Sequence, residues 1–548
     1  MKKIVIFSFL LTLTLTLLAQ NRIFVHPSAT GQNSGSSWQD AFNDLQTAIA
    51  TSIAGDEIWV ATGIYKTTSG TDRLATFQPK SGTRIYGGFS GIETIQEQRN
   101  WYLFPTILSG DIGVSGDSTD NAFNVMVLSE PDSMTVIDGF VLERGMAYPG
   151  TSSPSSRTRQ YCGGGLYVTG QDAEAYPMIR NCTFRNNYAR NCGGGVMIYG
   201  DHAGSSVGPS FINCIFENNN VFTYGGGAAR VGGSLIERGT EFYHCDFIRN
   251  RAKAGGGLYI EDQHGLDTID LLGCSFIRNK SSINGGGISF STTRNEGLWL
   301  KIDSCIIKEN QSLNSSSIEL NLYEFDFKKR FLKISNSHFL NNNNLPTGTY
   351  TIRINMAGDS TSKIIFANNF INDLVSNSEV VLLDNGYGTL ECTDNRIEGY
   401  SALIRGGDIR SAIYERNYFV QLDNDLYPTI LANPKFAVIN NCIFISNIKN
   451  VLNDAPLIQS NIGEYNNNLF KSIIPVRTIS LESFDSTKYI YNSVLVIPYD
   501  ASILPATSTK YHFANCSFPQ SWSGDTSNVI SYGPGNIFGV NPLFMNPG

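Results

Sequence analysis

Histidine, tryptophan and charge are scarce in this chain, with 6 His, 5 Trp and 16% charged residues in 548. No CxxC occurs among its 10 cysteines, so zinc-ribbon and thioredoxin-type chemistry lack their spacing. No nucleophile motif, phosphate loop or Ser-His-Asp arrangement stands out. After Leu18 no apolar run is long enough to cross a membrane, which leaves no transmembrane segment in the mature chain. The net charge of −8 disfavours nucleic acid or an anionic membrane as the main partner. Helical periodicity is confined to 36–50, which excludes α-helical repeats and the βαβ pattern of a doubly wound sheet.

What is present is a repeat. One phrase recurs six times between 181 and 342: NCTFRNN, NCIFENN, HCDFIRN, GCSFIRN, SCIIKEN and NSHFLNN. Its second position falls at Cys182, Cys214, Cys245, Cys274, Cys305 and Ser337, in steps of 32, 31, 29, 31 and 32 residues. A second phrase follows the first five copies: GGGVMIY (193–199), GGGAARV (225–231), GGGLYIE (255–261), GGGISFS (285–291) and the degraded SSSIEL (315–320), with an extra GGGLYV at 163–168. Apolar and polar residues alternate around each phrase, as in a strand with one buried face. Strands recurring about every thirty residues predict an all-β fold, a parallel β-helix solenoid of about three strands per coil. Its hand is right by the general chirality of parallel crossovers.

The register predicts three columns. Ile179, Phe211, Phe242, Leu271, Ile302, Ile334 and Ile365 form one inward ladder. Phe184, Phe216, Phe247, Phe276, Ile307, Phe339 and Phe370 form another. Asn187, Asn219, Asn250, Asn279, Asn310 and Asn342 stack at a turn, where amides bond along the column. The triple glycines mark positive φ or close backbone approach. They lack the Asp of calcium-binding nonapeptides, so turn glycine is the better account. The column cysteines read as small buried hydrophobes. Cys162 and Cys192, each just before a triple glycine, are the pair best placed for a disulfide.

Residues 1–20 read as a signal peptide, with Lys2 and Lys3 before an apolar stretch and Ala19 at the cut. Residues 21–134 read as an N-terminal cap and first irregular coils. In SSWQDAFNDLQTAIA (36–50), Trp38, Phe42, Leu45 and Ile49 share a helical face behind a Ser36/Gln39 capping box, which makes this an N-terminal capping helix. Residues 135–370 carry the regular GGG and FxxN coils. Residues 371–548 carry shorter, degenerate coils ending at NPLFMNPG, where truncation or a further covering segment is expected.

The FxxN and GG-apolar phrases resemble the repeats of polymorphic outer-membrane proteins, which are surface adhesins. The leader FVHPSATGQNSGSSWQDAFNDLQTAI, with GDEIWVATGIYK, IYGGFSG and ILSGDI, is similar to Bacteroidetes-type exported surface β-helix proteins. These resemblances imply export, to the medium or to the cell surface or outer membrane of a Gram-negative bacterium. The expected function is a non-catalytic rod for adhesion or for binding an extracellular glycan or host matrix surface, with no cofactor and no metal. The alternative is a carbohydrate-active enzyme, a polysaccharide lyase or hydrolase, or its binding remnant. Such an enzyme gathers carboxylates and bases on an outer face. The candidates are Asp201, His202, Asp262 and His264, which follow the glycine strands two coils apart and read otherwise as a solvated loop edge.

Overall fold

The computed structural model describes residues 21–446 apart from short inter-strand segments, among them 151–156, 171–173, 201–205, 234–238 and 263–266, and isolated strands beyond 446. The signal-peptide reading of residues 1–20 therefore lies outside the described residues. Strands pair in parallel, coil upon coil, in long stacked sheets. The fold is an all-β parallel β-helix solenoid.

One coil explains the rest. Strand Ser210–Ile212 lies in the first sheet, between Met178–Arg180 and Glu241–Tyr243. A corner at Asn213, with φ of 53°, turns the chain into Ile215–Glu217 of the second sheet. A second corner at Asn218, φ 54°, leads into the short strand Asn220–Val221 of a third sheet. The glycine phrase then turns into Ala229–Gly233 of the fourth. The regular coils thus hold four strands rather than three, because the Asn corner is followed by an extra short strand. That third sheet ends at Asn343–Asn344, which is why later coils are shorter.

Packing follows from pleating. Phe216, Phe247 and Phe276 are fully buried and stack at centroid distances of 4.7 and 4.4 Å. Behind them the Asn ladder is continuous: Asn219 Nδ2 donates to Asn250 Oδ1 at 3.1 Å, and Asn250 Nδ2 to Asn279 Oδ1 at 3.0 Å. Each amide also donates to a carbonyl of the preceding coil, as Asn250 does to Phe216 at 2.9 Å. The buried corner therefore leaves few polar groups unmet.

The cysteine column does more than fill space. Cys214, Cys245 and Cys274 direct Sγ at the carbonyls of Ile179, Phe211 and Phe242. Asn369, Asn395 and Asn468 make the same bond through Nδ2, to Ile334, Phe366 and Ile439. The slot is a corner donor, filled by thiol at Cys214, Cys245 and Cys274 and by amide at Asn369, Asn395 and Asn468. Burial pushes the Cys182 thiol well above its ordinary range, which keeps it protonated and able to donate. Cys162 and Cys192 are bonded to each other across adjacent coils, with Cα atoms 4.8 Å apart.

Three expectations need correcting. Both ladders slip by one residue at the coil that begins KIIFANNF: Ile334 pairs with Phe366, leaving Ile365 facing outward, and Phe339 pairs with Ile371, leaving Phe370 outward. Asn369 has replaced Cys at the corner there, and two adjacent apolar residues on each side made either phase readable. In GGGAARV the positive φ falls on Gly226, and Ala229 pairs with Val196, so the phrase is shifted by one and Ala228 fills the last glycine slot. The helix spans only Leu45–Thr51 and is capped by Asp44, whose carboxylate accepts from the Thr47 amide at 2.9 Å, not by Ser36. Leu45, Ala48 and Ile49 seat it against the first core residues, Val25 and Ile58, as a cap should sit. Trp38 instead packs outside the first sheet with Phe24, Trp59 and Phe89.

Candidate functional site: an outer face of cations and rings

The loop-edge candidates fare unevenly. Asp201, His202 and His264 lie outside the described residues. Asp262 closes strand Leu258–Asp262 of the fourth sheet, in register with Gly233 and Thr292. Gly200, the last described residue before Asp201, occupies the same level two coils earlier. The adjoining carboxylate, Glu261, is already engaged: it accepts from Arg230 and pairs with Arg157 at 3.0 Å. Arg230 is buried beneath the Tyr259 ring, 5.1 Å away, and burial followed by the charge of Arg157 pulls its guanidinium down to about 9, still protonated at neutral pH. A carboxylate clamped by two guanidinium groups is a weak proton acceptor. Among the described residues, no group of three His, Cys, Asp or Glu is placed to hold a metal ion.

A different face gathers charge. At the second corner the chain must adopt left-handed φ, and Asn186, Asn218 and Asn341 suit it. Three intervening coils put Arg249, Arg278 and Glu309 there instead, at φ of 54°, 56° and 56°. Longer charged side chains are uncommon in that region. One residue beyond the ladder asparagine, the outward row of the third sheet runs Tyr188, Asn220, Arg251, Lys280, Gln311 in register. The two rows flank an open groove of about 630 Å³.

Charge in the groove is partly matched. Arg249 pairs with Glu217 at 3.2 Å, and Arg278 with Glu309 at 2.5 Å, a hydrogen bond that holds Glu309 below the usual carboxylate range. Arg251 and Lys280 are exposed, and neither makes an ion pair among the described residues. At one end the groove meets aromatic surface: Tyr148 and Tyr188 lie 6.4 Å apart, and Arg190 stacks between Tyr148 and Phe222, at 5.0 and 5.1 Å. Phe222 is 65% exposed. A large ring left in water beside cations is a contact surface rather than a core element.

Sequence reasoning did not single out these cations, although the signal was in the repeat: RNR (249–251) and RNK (278–280) place basic residues on both sides of a ladder asparagine in successive coils.

Residues 164–371 match the family model of the right handed beta helix region. No curated protein matches the chain. Among solved structures, the PL6 family alginate lyase AlyGC aligns over 94% of this chain and 100% of its own, at 10% identity and a TM-score of 0.20, a likeness too slight to carry any functional argument. Stacked parallel sheets and the ladders make the fold a parallel β-helix solenoid, and the match to the right-handed family model falls on its regular coils.

Proposed function

We propose that the chain is an exported, non-catalytic rod that engages an extracellular glycan or matrix surface, in adhesion or surface attachment. The observation that carries this reading is the open face of the third sheet, where exposed Arg251 and Lys280 continue the row of half-buried Tyr188 and the exposed Phe222 ring stands just past strand Asn220–Val221. Glycans are held by such shallow surfaces, through ring stacking and charge-assisted hydrogen bonds. Export is supported by the leader-like residues 1–20 and by the Cys162–Cys192 bond, since disulfides persist in oxidising compartments. The non-catalytic part is supported by the clamped state of Glu261 beside the enzyme-type candidates.

The test is a glycan and matrix-protein binding array probed with the exported protein, run beside an absorbance assay for uronate-lyase products. Binding to a glycan without turnover supports the proposal. Turnover of a polysaccharide would replace it with the carbohydrate-active enzyme reading, and no binding to any glycan or matrix surface would remove it.

A further inference from the structure

Accepting glycan engagement as the rod's role, we infer that the partner is an acidic polysaccharide lying along the rod axis, over the row from Tyr188 to Gln311. Three observations lead there. The first is charge: Arg251 and Lys280 stand free on adjacent coils, with Arg249 and Arg278 beside them. The second is direction. Adjacent strands lie about 4.8 Å apart, so the cations repeat at that interval along the axis, and a polymer with regularly repeated carboxylates or sulfates can meet them in series. A chain crossing the rod would meet one coil's cations only. The third is backbone cost. Non-glycine residues in left-handed φ are disfavoured, by about 1–3 kcal/mol where they are strained, and such sites cluster where function requires them. Arg249 and Arg278 occupy a corner that Asn186, Asn218 and Asn341 fill in other coils and that Arg144 and Glu309 also occupy.

The aromatic end sets polarity along the track. Tyr188 follows Met146 at the N-terminal end of the outward row and Phe222 stands exposed near it, so a sugar ring stacks there while the anionic groups beyond it reach Arg251 and Lys280. Nucleic acid also offers regular anions and bases that stack. The chain's overall charge of −8 repels a long polyanion outside this one face, which favours the more sparsely charged glycan.

The experiment measures binding of the exported protein to polygalacturonate, to the same polymer methyl-esterified, to a neutral glucan and to single-stranded DNA. The variants are R251A/K280A and E309Q. We expect polygalacturonate to bind, esterification to weaken it at least tenfold, and R251A/K280A to weaken it about tenfold with an unchanged thermal midpoint. E309Q, which frees Arg278, should tighten binding a few-fold, an effect that general loss of structure cannot mimic. Neutral glucan bound as tightly as polygalacturonate, with R251A/K280A without effect, would overturn the acidic track while leaving the glycan reading intact. No binding to any glycan would end both. DNA bound more tightly than polygalacturonate, with the same variant sensitivity, would overturn the inference in favour of a nucleic-acid partner.

Discussion

Replacing Asn250 by Leu tests whether the buried amide ladder holds the corner together. Asn250 is fully buried. Its Nδ2 donates to the Phe216 carbonyl and to Asn279 Oδ1, while its Oδ1 accepts from the Asn219 amide at 2.9 Å and from Asn219 Nδ2 at 3.1 Å. Leucine has the same branching and is no smaller, so no water enters to take over these bonds. Two backbone groups, the Asn219 N–H and the Phe216 C=O, lose their partner in a place closed to solvent. Each orphaned buried group costs about 1–3 kcal/mol, so the variant should lose about 2–6 kcal/mol. Asn220, one position on but exposed, is the control, and Asn220→Ala should stay within about 0.5 kcal/mol. Urea unfolding of the exported protein reads both as midpoint shifts at constant slope. A loss below about 1 kcal/mol for the leucine variant would refute the reasoning, because it would mean the corner is satisfied without the amide.

Phe247→Ala should cost about 3–5 kcal/mol in the same urea assay, since the ring lies stacked between Phe216 and Phe276 and its removal leaves a cavity the ladder cannot close; a loss near zero would place it in solvent. Alkylation under denaturing, non-reducing conditions should leave Cys162 and Cys192 unlabelled and label the remaining cysteines, and full labelling would contradict the disulfide. Replacing Asp201, His202, Asp262 and His264 together by Ala should leave glycan binding intact and change stability by no more than about 0.5 kcal/mol per site, the usual range for surface substitutions. A wild-type polysaccharide-degrading activity lost in that variant would establish the enzyme reading.

Much of the architecture was legible because a solenoid repeats its constraints. From Ile179 to Phe339 each inward position is seen several times at a fixed step, so Phe184, Phe216, Phe247 and Phe276 could be aligned without a structure. Legibility failed where the constraint is seen once. Around Ile365 and Phe366 the Cys marker is gone and neighbouring apolar residues fit either phase, so only the hydrogen-bonded register decides. The segment 36–50 has helical spacing throughout, but Trp38 and Phe42 are held by the first sheet and by packing with Phe24, leaving one short helix from Leu45. The cation face was harder still. Outward side chains carry no apolar periodicity, and Arg251 and Lys280 become neighbours only once Ala252 is paired with Ser281. The loop edge from Asp201 to His264 stays a matter of sequence, since three of its four residues lie outside the described ones.

Side-chain footprinting of the exported protein saturated with polygalacturonate locates the bound polymer on the rod. Lysine acetylation and aromatic oxidation should both fall on binding, at Lys280 and at Tyr188 and Phe222, while Tyr102 and Lys66, exposed on the N-terminal coils, serve as references. Protection should centre on the row from Tyr188 to Lys280. Protection confined to the edge that carries Asp262, with Lys280, Tyr188 and Phe222 labelled as in the free protein, would contradict it.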